Sequence, residues 1–288
     1  MEERKRNCFD YMIAMVPAGL FGIFYFGKRS LWVILLSVLV VCLLYGIVLK
    51  VKKKSLKELS LAVYMGMFLA YSLPAATDFK IVALGALLTV LFMSFTWKEN
   101  RFWIHPALGA RMILQIFFNK ELTTYIIHNR QYRISLSSLK IGNQINVKNV
   151  FFGTTAGTIG ETCVIALGMA ALYLFFQHRL KIKRSIIFGL AFVIAIGLTT
   201  RRIADLSFLF AEVCSGGLLF LTVFVLSDED FKINHQILDW ICPILVGLAI
   251  GIFRTYGPLD EPVYMIFGIA SLLIGICNYK LFLDEKKE

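Results

Sequence analysis

The chain has 288 residues, of which 58% are hydrophobic and 17% charged, and it carries a formal net charge of +11. That composition, with a mean hydropathy of +0.72, excludes an ordinary soluble domain and points to a polytopic membrane protein. In a soluble protein the basic excess would suggest nucleic acid. Here the basic residues fall between apolar runs, where they set topology and meet anionic lipid, so no nucleic-acid partner is expected.

Ten hydrophobic segments follow one another, at roughly 9–26, 31–50, 60–76, 80–97, 104–118, 159–177, 185–200, 207–226, 238–253 and 262–282. Each approaches the length a bilayer core requires, so the expected fold is an all-α bundle of about ten transmembrane segments. The fifth, seventh and ninth are short for full spans, and short segments often mark discontinuous helices around a midplane site. No cleavable signal peptide is read, because the first apolar run is long and no small-residue cleavage site follows it. The six cysteines (Cys8, Cys42, Cys163, Cys214, Cys242 and Cys277) form no C-x-x-C pair, and all but Cys8 lie in or beside apolar runs. They read as small buried hydrophobes, not as a disulfide framework or a zinc site.

Lys and Arg set the orientation. Seventeen fall in the termini and alternate loops on one side, against six in the short loops on the other. The positive-inside rule then places both termini in the cytoplasm and the long connection 119–152 outside. That connection is the only sizeable non-membrane piece, and loops of such length usually carry a function or are disordered. Five segments precede it and five follow, in one domain spanning 1–288. The arrangement suggests an internal structural repeat, although no sequence repeat supports it.

The sixth segment opens on Gly153-Thr154-Thr155-Ala156-Gly157-Thr158-Ile159-Gly160-Glu161-Thr162-Cys163. Glycine allows close backbone approach, and threonine hydroxyls offer hydrogen-bond donors. Glu161 is an ionisable residue at the mouth of an apolar run, which is by default a functional-site hypothesis. A plainer reading stands beside it: a small-residue packing face with a capping glutamate. Arg111, Asp205 and Glu212 also sit in or beside apolar runs and are expected either to pair in the interior or to lie at an interface. Arg254 at a helix end reads as snorkelling. Asp228, Glu229 and Asp230 read as a solvated corner, and His128, His178 and His235 are assigned no role. No nucleophile–base pair, metal cluster or phosphate loop stands out.

Several short patterns occur in a fixed order: Ser72-Leu73-Pro74-Ala75-Ala76, Ile104-His105-Pro106-Ala107-Leu108-Gly109-Ala110-Arg111, Gly157 to Cys163, Cys214-Ser215-Gly216-Gly217, Leu226-Ser227-Asp228-Glu229 and Ile252-Phe253-Arg254-Thr255-Tyr256-Gly257. In order and spacing they resemble the RnfD membrane protein of Rnf electron-transport complexes, which is similar to the NqrB protein of the sodium-pumping NADH:quinone reductase. The resemblance covers about residues 60–282. It implies a urea-transporter-like bundle in the cytoplasmic membrane of a prokaryote, a place among other membrane and peripheral subunits, and a role in ion-coupled electron transport. The chain itself would be at most one subunit of an ion-translocating oxidoreductase.

Members of that family bond an FMN to a threonine in the extracytoplasmic loop. Here the corresponding run is Arg133-Ile134-Ser135-Leu136-Ser137-Ser138-Leu139-Lys140, and Ile134 stands where the threonine belongs. Isoleucine has no hydroxyl to carry a phosphoester, so covalent FMN is not expected. A flavin (FMN or riboflavin) would be held non-covalently by Gly157, Gly160, Glu161 and Thr162, with Ser215, Gly216 and Gly217 bringing a second helix to the same place. Glu161 could equally hold a cation on a transport path. Two further readings compete: a small-solute channel or permease of the same fold, and a purely structural subunit.

Overall fold

The computed structural model describes residues 2–53, 55, 58–98, 101–127, 130–135, 147–228, 231–257 and 261–285. Every one of the ten hydrophobic segments holds a helix. The first two are α1 (Glu2–Phe26) and α2 (Lys28–Val51), joined at Gly27, whose φ of 80° permits the reversal. Then come α3 (Leu59–Tyr71), α4 (Phe79–Phe95) and α5 (Pro106–Phe117). The long connection supplies α6 (Asn119–Leu122) and α7 (Val147–Phe152). After it stand α8 (Val164–Phe176), α9 (Ile182–Thr200), α10 (Leu206–Val213), α11 (Leu218–Phe224), α12 (Gln236–Tyr256) and α13 (Val263–Glu285).

The fold is mostly helical but not purely so. Among the described residues two antiparallel hairpins interrupt it: β1 (Trp97–Lys98) with β2 (Arg101–Phe102), and β3 (Thr124–Ile127) with β4 (Arg130–Ser135). The second lies in the long connection, and its register sets Ile134 opposite Tyr125. Thr124, Tyr125, Ile126 and Ile127, with Tyr132 and Ile134, are residue types enriched in strands.

Among the described residues five helices are long and apolar enough to cross a membrane, or six if α10 and α11, bent by 55°, count as one span. The protein is thus a multi-pass membrane protein. Helices α3, α4, α5 and α8 have 13, 17, 12 and 13 residues, short of the roughly 20 needed for a straight crossing. The shortfall has a visible cause. The sequence suggests helix from 159 onward and up to 76, yet Ser72–Thr77 and Thr158–Cys163 are non-helical and buried. Unwound backbone of this kind is tolerated at membrane depth only inside protein.

The outer surface is inverted relative to a soluble protein. On α2 the buried face carries Ser30, Val33, Ser37, Val41, Tyr45 and Leu49, while Leu35, Leu39, Leu43 and Ile47 point outward. Four-residue spacing puts those leucines on one stripe facing lipid. Between helices, small residues set the distance. A Cβ on Gly247 would lie 2.6 Å from the Phe188 carbonyl oxygen, and one on Gly251 would lie 2.5 Å from Ala195 Cβ, so the Gly-x-x-x-Gly face of α12 packs directly on α9. Likewise α2 meets α3 where Ser37 Oγ donates to the Gly66 carbonyl at 2.8 Å.

Candidate functional site

Two unwound stretches meet in the interior. Ile159 N–H donates to the Leu73 carbonyl at 3.1 Å and Gly160 N–H to the Tyr71 carbonyl at 3.0 Å, making an isolated antiparallel bridge between Pro74 and Thr158. These bonds satisfy backbone groups that would otherwise be stranded without water. Glycine is required at 160, since a Cβ there would come within 2.6 Å of Tyr71 Cβ. Helix α1 closes in from a third side: a Cβ at Gly22 would lie 2.5 Å from the Ile159 carbonyl oxygen.

Glu161 is held by this crossing. Its Oε1 accepts from the Thr158 backbone N–H at 2.8 Å, and its Oε2 accepts from the Tyr264 hydroxyl at 3.0 Å. Tyr264 is in the first turn of α13, and its hydroxyl also stands 3.3 Å from Thr158 Oγ1. The Thr158-x-x-Glu161 contact has the form of a capping box. It closes a turn and not a helix start, however, because α8 begins at Val164 with Cys163 as its N-cap.

Arg111 provides the positive charge. It is fully buried on α5, with Nε donating to the Ser72 carbonyl at 2.9 Å and Nη1 to Gln115 Oε1 at 3.4 Å. Its guanidinium lies 4.9 Å from the centre of the Tyr264 ring, a cation–π arrangement. Gln115 Nε2, one turn on, donates to the Glu261 carbonyl at 2.5 Å. Helix α5 is aimed by its N-terminus. Pro106 takes the first position, and His105 Nδ1 accepts from the Leu108 N–H while the His105 backbone N–H donates to Ser271 Oγ at 2.8 Å.

A second carboxylate completes the cluster. Glu261 is 4% exposed, as is Glu161, and both interact electrostatically with Arg111 and with one another. Tyr125 of β3 is fully buried and sets its hydroxyl beside the Glu261 carboxylate, outside hydrogen-bond geometry. Strand β3 therefore closes the site from the loop side through Tyr125.

The expected residues Ser215, Gly216 and Gly217 belong to the same neighbourhood. They form the break between α10 and α11, where Gly216 and Gly217 have φ of 63° and 72°, a region glycine enters without a Cβ clash. A Cβ at Gly217 would lie 2.7 Å from the Tyr264 hydroxyl, so the broken span and Glu161 share Tyr264. Arg254 of α12 holds the break together. Nη1 donates to the Glu212 carbonyl at 2.7 Å and to Glu212 Oε2 at 3.0 Å, and Nη2 to the Ser215 carbonyl at 2.7 Å. The snorkelling expectation for Arg254 is corrected: its side chain is 10% exposed and caps orphan carbonyls of the broken helix.

The remaining charges separate cleanly. Glu212 is Arg254's partner. Asp205 is the N-cap of α10, accepting from the Phe208 N–H at 3.0 Å beside Arg202, and is half-buried away from the cluster. His178 and His235 are exposed and Asp228 is half-buried, whereas Glu229, Asp230 and His128 lie outside the described residues. Among the described residues no group of three or more His, Cys, Asp or Glu could hold a metal ion.

Of the seven expected flavin-binding residues, Gly157, Gly160, Glu161 and Thr162 are buried together, and Ser215, Gly216 and Gly217 reach them through Tyr264 and Arg254. The space beside the glycines is taken by the protein itself: Glu161 Oε1 lies 2.8 Å from a Cβ at Gly157, and Tyr71 and Tyr264 fill the space at Gly160 and Gly217. As packed, these residues make a closed, hydrogen-bonded core, not an open cradle, and do not fit a flavin ring. Sequence reading missed Glu261, Tyr264, Tyr125 and Gln115. Glu261 sits in a Gly257-to-Pro262 stretch that reads as a loop, and nothing local marks it as buried.

The chain matches the sequence pattern of one protein family over residues 2–278, which takes in both unwound stretches and every residue of the cluster. It belongs to the NQR2, RnfD, RnfE family. A relative within reach is the D subunit of the proton-translocating ferredoxin:NAD(+) oxidoreductase complex of Clostridium ljungdahlii, 25% identical over 191 residues. That similarity takes in 59% of this chain and 57% of the relative, so the chain spans little more than half of the protein it matches. The matched range takes in the ordered patterns at 72–76, 104–111, 157–163, 214–217 and 252–257.

Proposed function

We propose that this chain is the D-type membrane component of an Rnf-like complex that couples electron transfer to ion movement across the cytoplasmic membrane of a prokaryote. The observation that carries the reading is the family match over residues 2–278, within which Arg111, Glu161 and Glu261 form a buried charged cluster at the crossing of two unwound stretches. Buried ionisable groups inside a membrane protein are expensive and mark ion or proton paths. The geometry gives the chain's own residues defined tasks. Arg111 holds the Ser72 turn and balances carboxylate charge, Tyr264 fixes Glu161, and Arg254 caps the α10–α11 break. Those are tasks of a coupling element, and the redox centres belong to partner subunits. Both termini lie in the cytoplasm, the hairpin end faces outward, and the ten helical segments are arranged as five and five. Because Ile134 lacks a hydroxyl, no FMN is bonded in the loop at that position.

The test is isolation of the affinity-tagged chain from its native host. Co-purification of membrane and peripheral redox subunits is the expected result. Recovery of the chain alone, with selective solute uptake in proteoliposomes, would replace this reading with the permease.

A further inference from the structure

We propose that the cluster is a proton-binding site: Glu261 holds an exchangeable proton inside the membrane domain, and Glu161 is the ionised partner of Arg111. This goes beyond the role in electron transport and stands on the charge count and hydrogen bonds alone, so it holds whether or not the complex is redox-driven.

The charge count comes first. The groups facing Glu261 are Arg111 on α5, Tyr125 on β3, Glu161 before α8, Arg254 on α12 and Tyr264 on α13. Arg254 is already matched by Glu212 at 3.0 Å. What is left is one guanidinium against two carboxyls, all at most 4% exposed. An uncompensated charge in such a place is strongly unfavourable, so one carboxyl must take up a proton or a cation must enter.

Hydrogen bonds decide which carboxyl it is. Both oxygens of Glu161 already accept from protein donors, Thr158 N–H and Tyr264 O–H, the environment of an ionised carboxylate. Glu261 has the opposite environment. Its Oε2 is buried without a hydrogen-bond partner among the described residues, and so is Arg111 Nη2. A protonated carboxyl becomes a donor and leaves no bare charge. A proton also suits the site better than a metal cation. Among the described residues the carboxyl and thiol groups form no three-ligand set, and the Arg111 guanidinium would repel a second cation. Binding is the simple reaction of Glu261 carboxylate with one proton to give the acid. Tyr125 places a hydroxyl next to it on the loop side, where a relay to water would begin.

The test compares Glu261→Gln with Glu161→Gln in the purified full-length chain and in vesicles. An amide mimics a protonated carboxyl, so Glu261→Gln keeps the parent melting temperature and removes one protonated-carboxyl carbonyl band from the infrared spectrum. Glu161→Gln lowers the melting temperature and leaves that band in place. Reaction with dicyclohexylcarbodiimide, in which the acid adds across the reagent to give an N-acylurea, should modify Glu261 and slow as pH rises. A second arm adds NaCl against choline chloride. Sodium-dependent protection of Glu261 from the reagent would mean a metal cation occupies the site and would overturn the proposal. Equal loss of stability in the two variants, or a band lost only with Glu161→Gln, would overturn it as well.

Discussion

Replacing Arg111 by methionine is the sharpest test of the cluster. The substitution preserves most of the side-chain volume but removes the guanidinium, the hydrogen bond to the Ser72 carbonyl and the contact over Tyr264. Removing the buried cation that faces Glu161 and Glu261 leaves carboxylate charge uncompensated, at a cost bounded by the roughly 3–5 kcal/mol of breaking a buried ion pair. The lost charged hydrogen bond, worth roughly 1.5–3 kcal/mol, and the cation–π contact lie within that figure, because all three measure the same buried charge. At 1.4 kcal/mol per tenfold, the folding equilibrium falls by about two to four powers of ten. Unfolding in mixed micelles, followed by tryptophan fluorescence, reads the change directly. The double variant Arg111→Met/Glu161→Gln removes the stranded carboxylate and should recover at least ~1 kcal/mol relative to the sum of the single losses. If Arg111→Met unfolds within about 1 kcal/mol of the parent, or the double variant shows no recovery, Arg111 is not the counter-charge of Glu161 and the account of the site fails.

Four further outcomes follow from the same structure. Gly217→Ala forces a left-handed residue and presses on the Tyr264 hydroxyl, so it should lose about 1–3 kcal/mol, whereas Gly189→Ala, in α9 with nothing within 4 Å of its Cβ, should be neutral or stabilising; equal melting shifts would refute the packing argument. The Phe208 N–H and then Arg202 hold the Asp205 carboxyl below its ordinary value, so its stabilisation is full above about pH 4 and is lost as pH falls through the lower folded value; Asp205→Asn should flatten that part of the acid limb, and an unchanged limb would count against it. A cysteine replacing Ser138, in an otherwise cysteine-free chain, should react with an impermeant thiol reagent on intact cells, and labelling only after lysis would reverse the topology. A denaturing gel of the chain co-expressed with a flavin-attaching enzyme should show no flavin fluorescence, and a fluorescent band mapped to Ser135, Ser137 or Ser138 would move attachment to those hydroxyls.

Composition and local pattern were enough for the membrane character, the mostly helical fold, the family and the Gly157–Glu161 part of the candidate cluster. Those features are written locally. Apolar runs register as helices because a bilayer makes backbone hydrogen bonds obligatory, and Gly157, Gly160 and Glu161 stand out because glycine clusters and charges are rare beside such runs. The tertiary structure alone decided where each helix stops and what Glu161 faces. Helix α3 ends early and α8 begins late because residues 72–77 and 158–163 satisfy one another's backbone groups across 86 residues of chain, as in Ile159 N–H to the Leu73 carbonyl, and no local periodicity records a pairing at that distance. Arg254 reads as a snorkelling end residue because its partners, Glu212 and Ser215, lie 42 and 39 positions away. Glu261 reads as loop because its burial comes from α5 and β3 closing over it, and burial is a property of the assembled bundle, not of the residue or its neighbours in sequence.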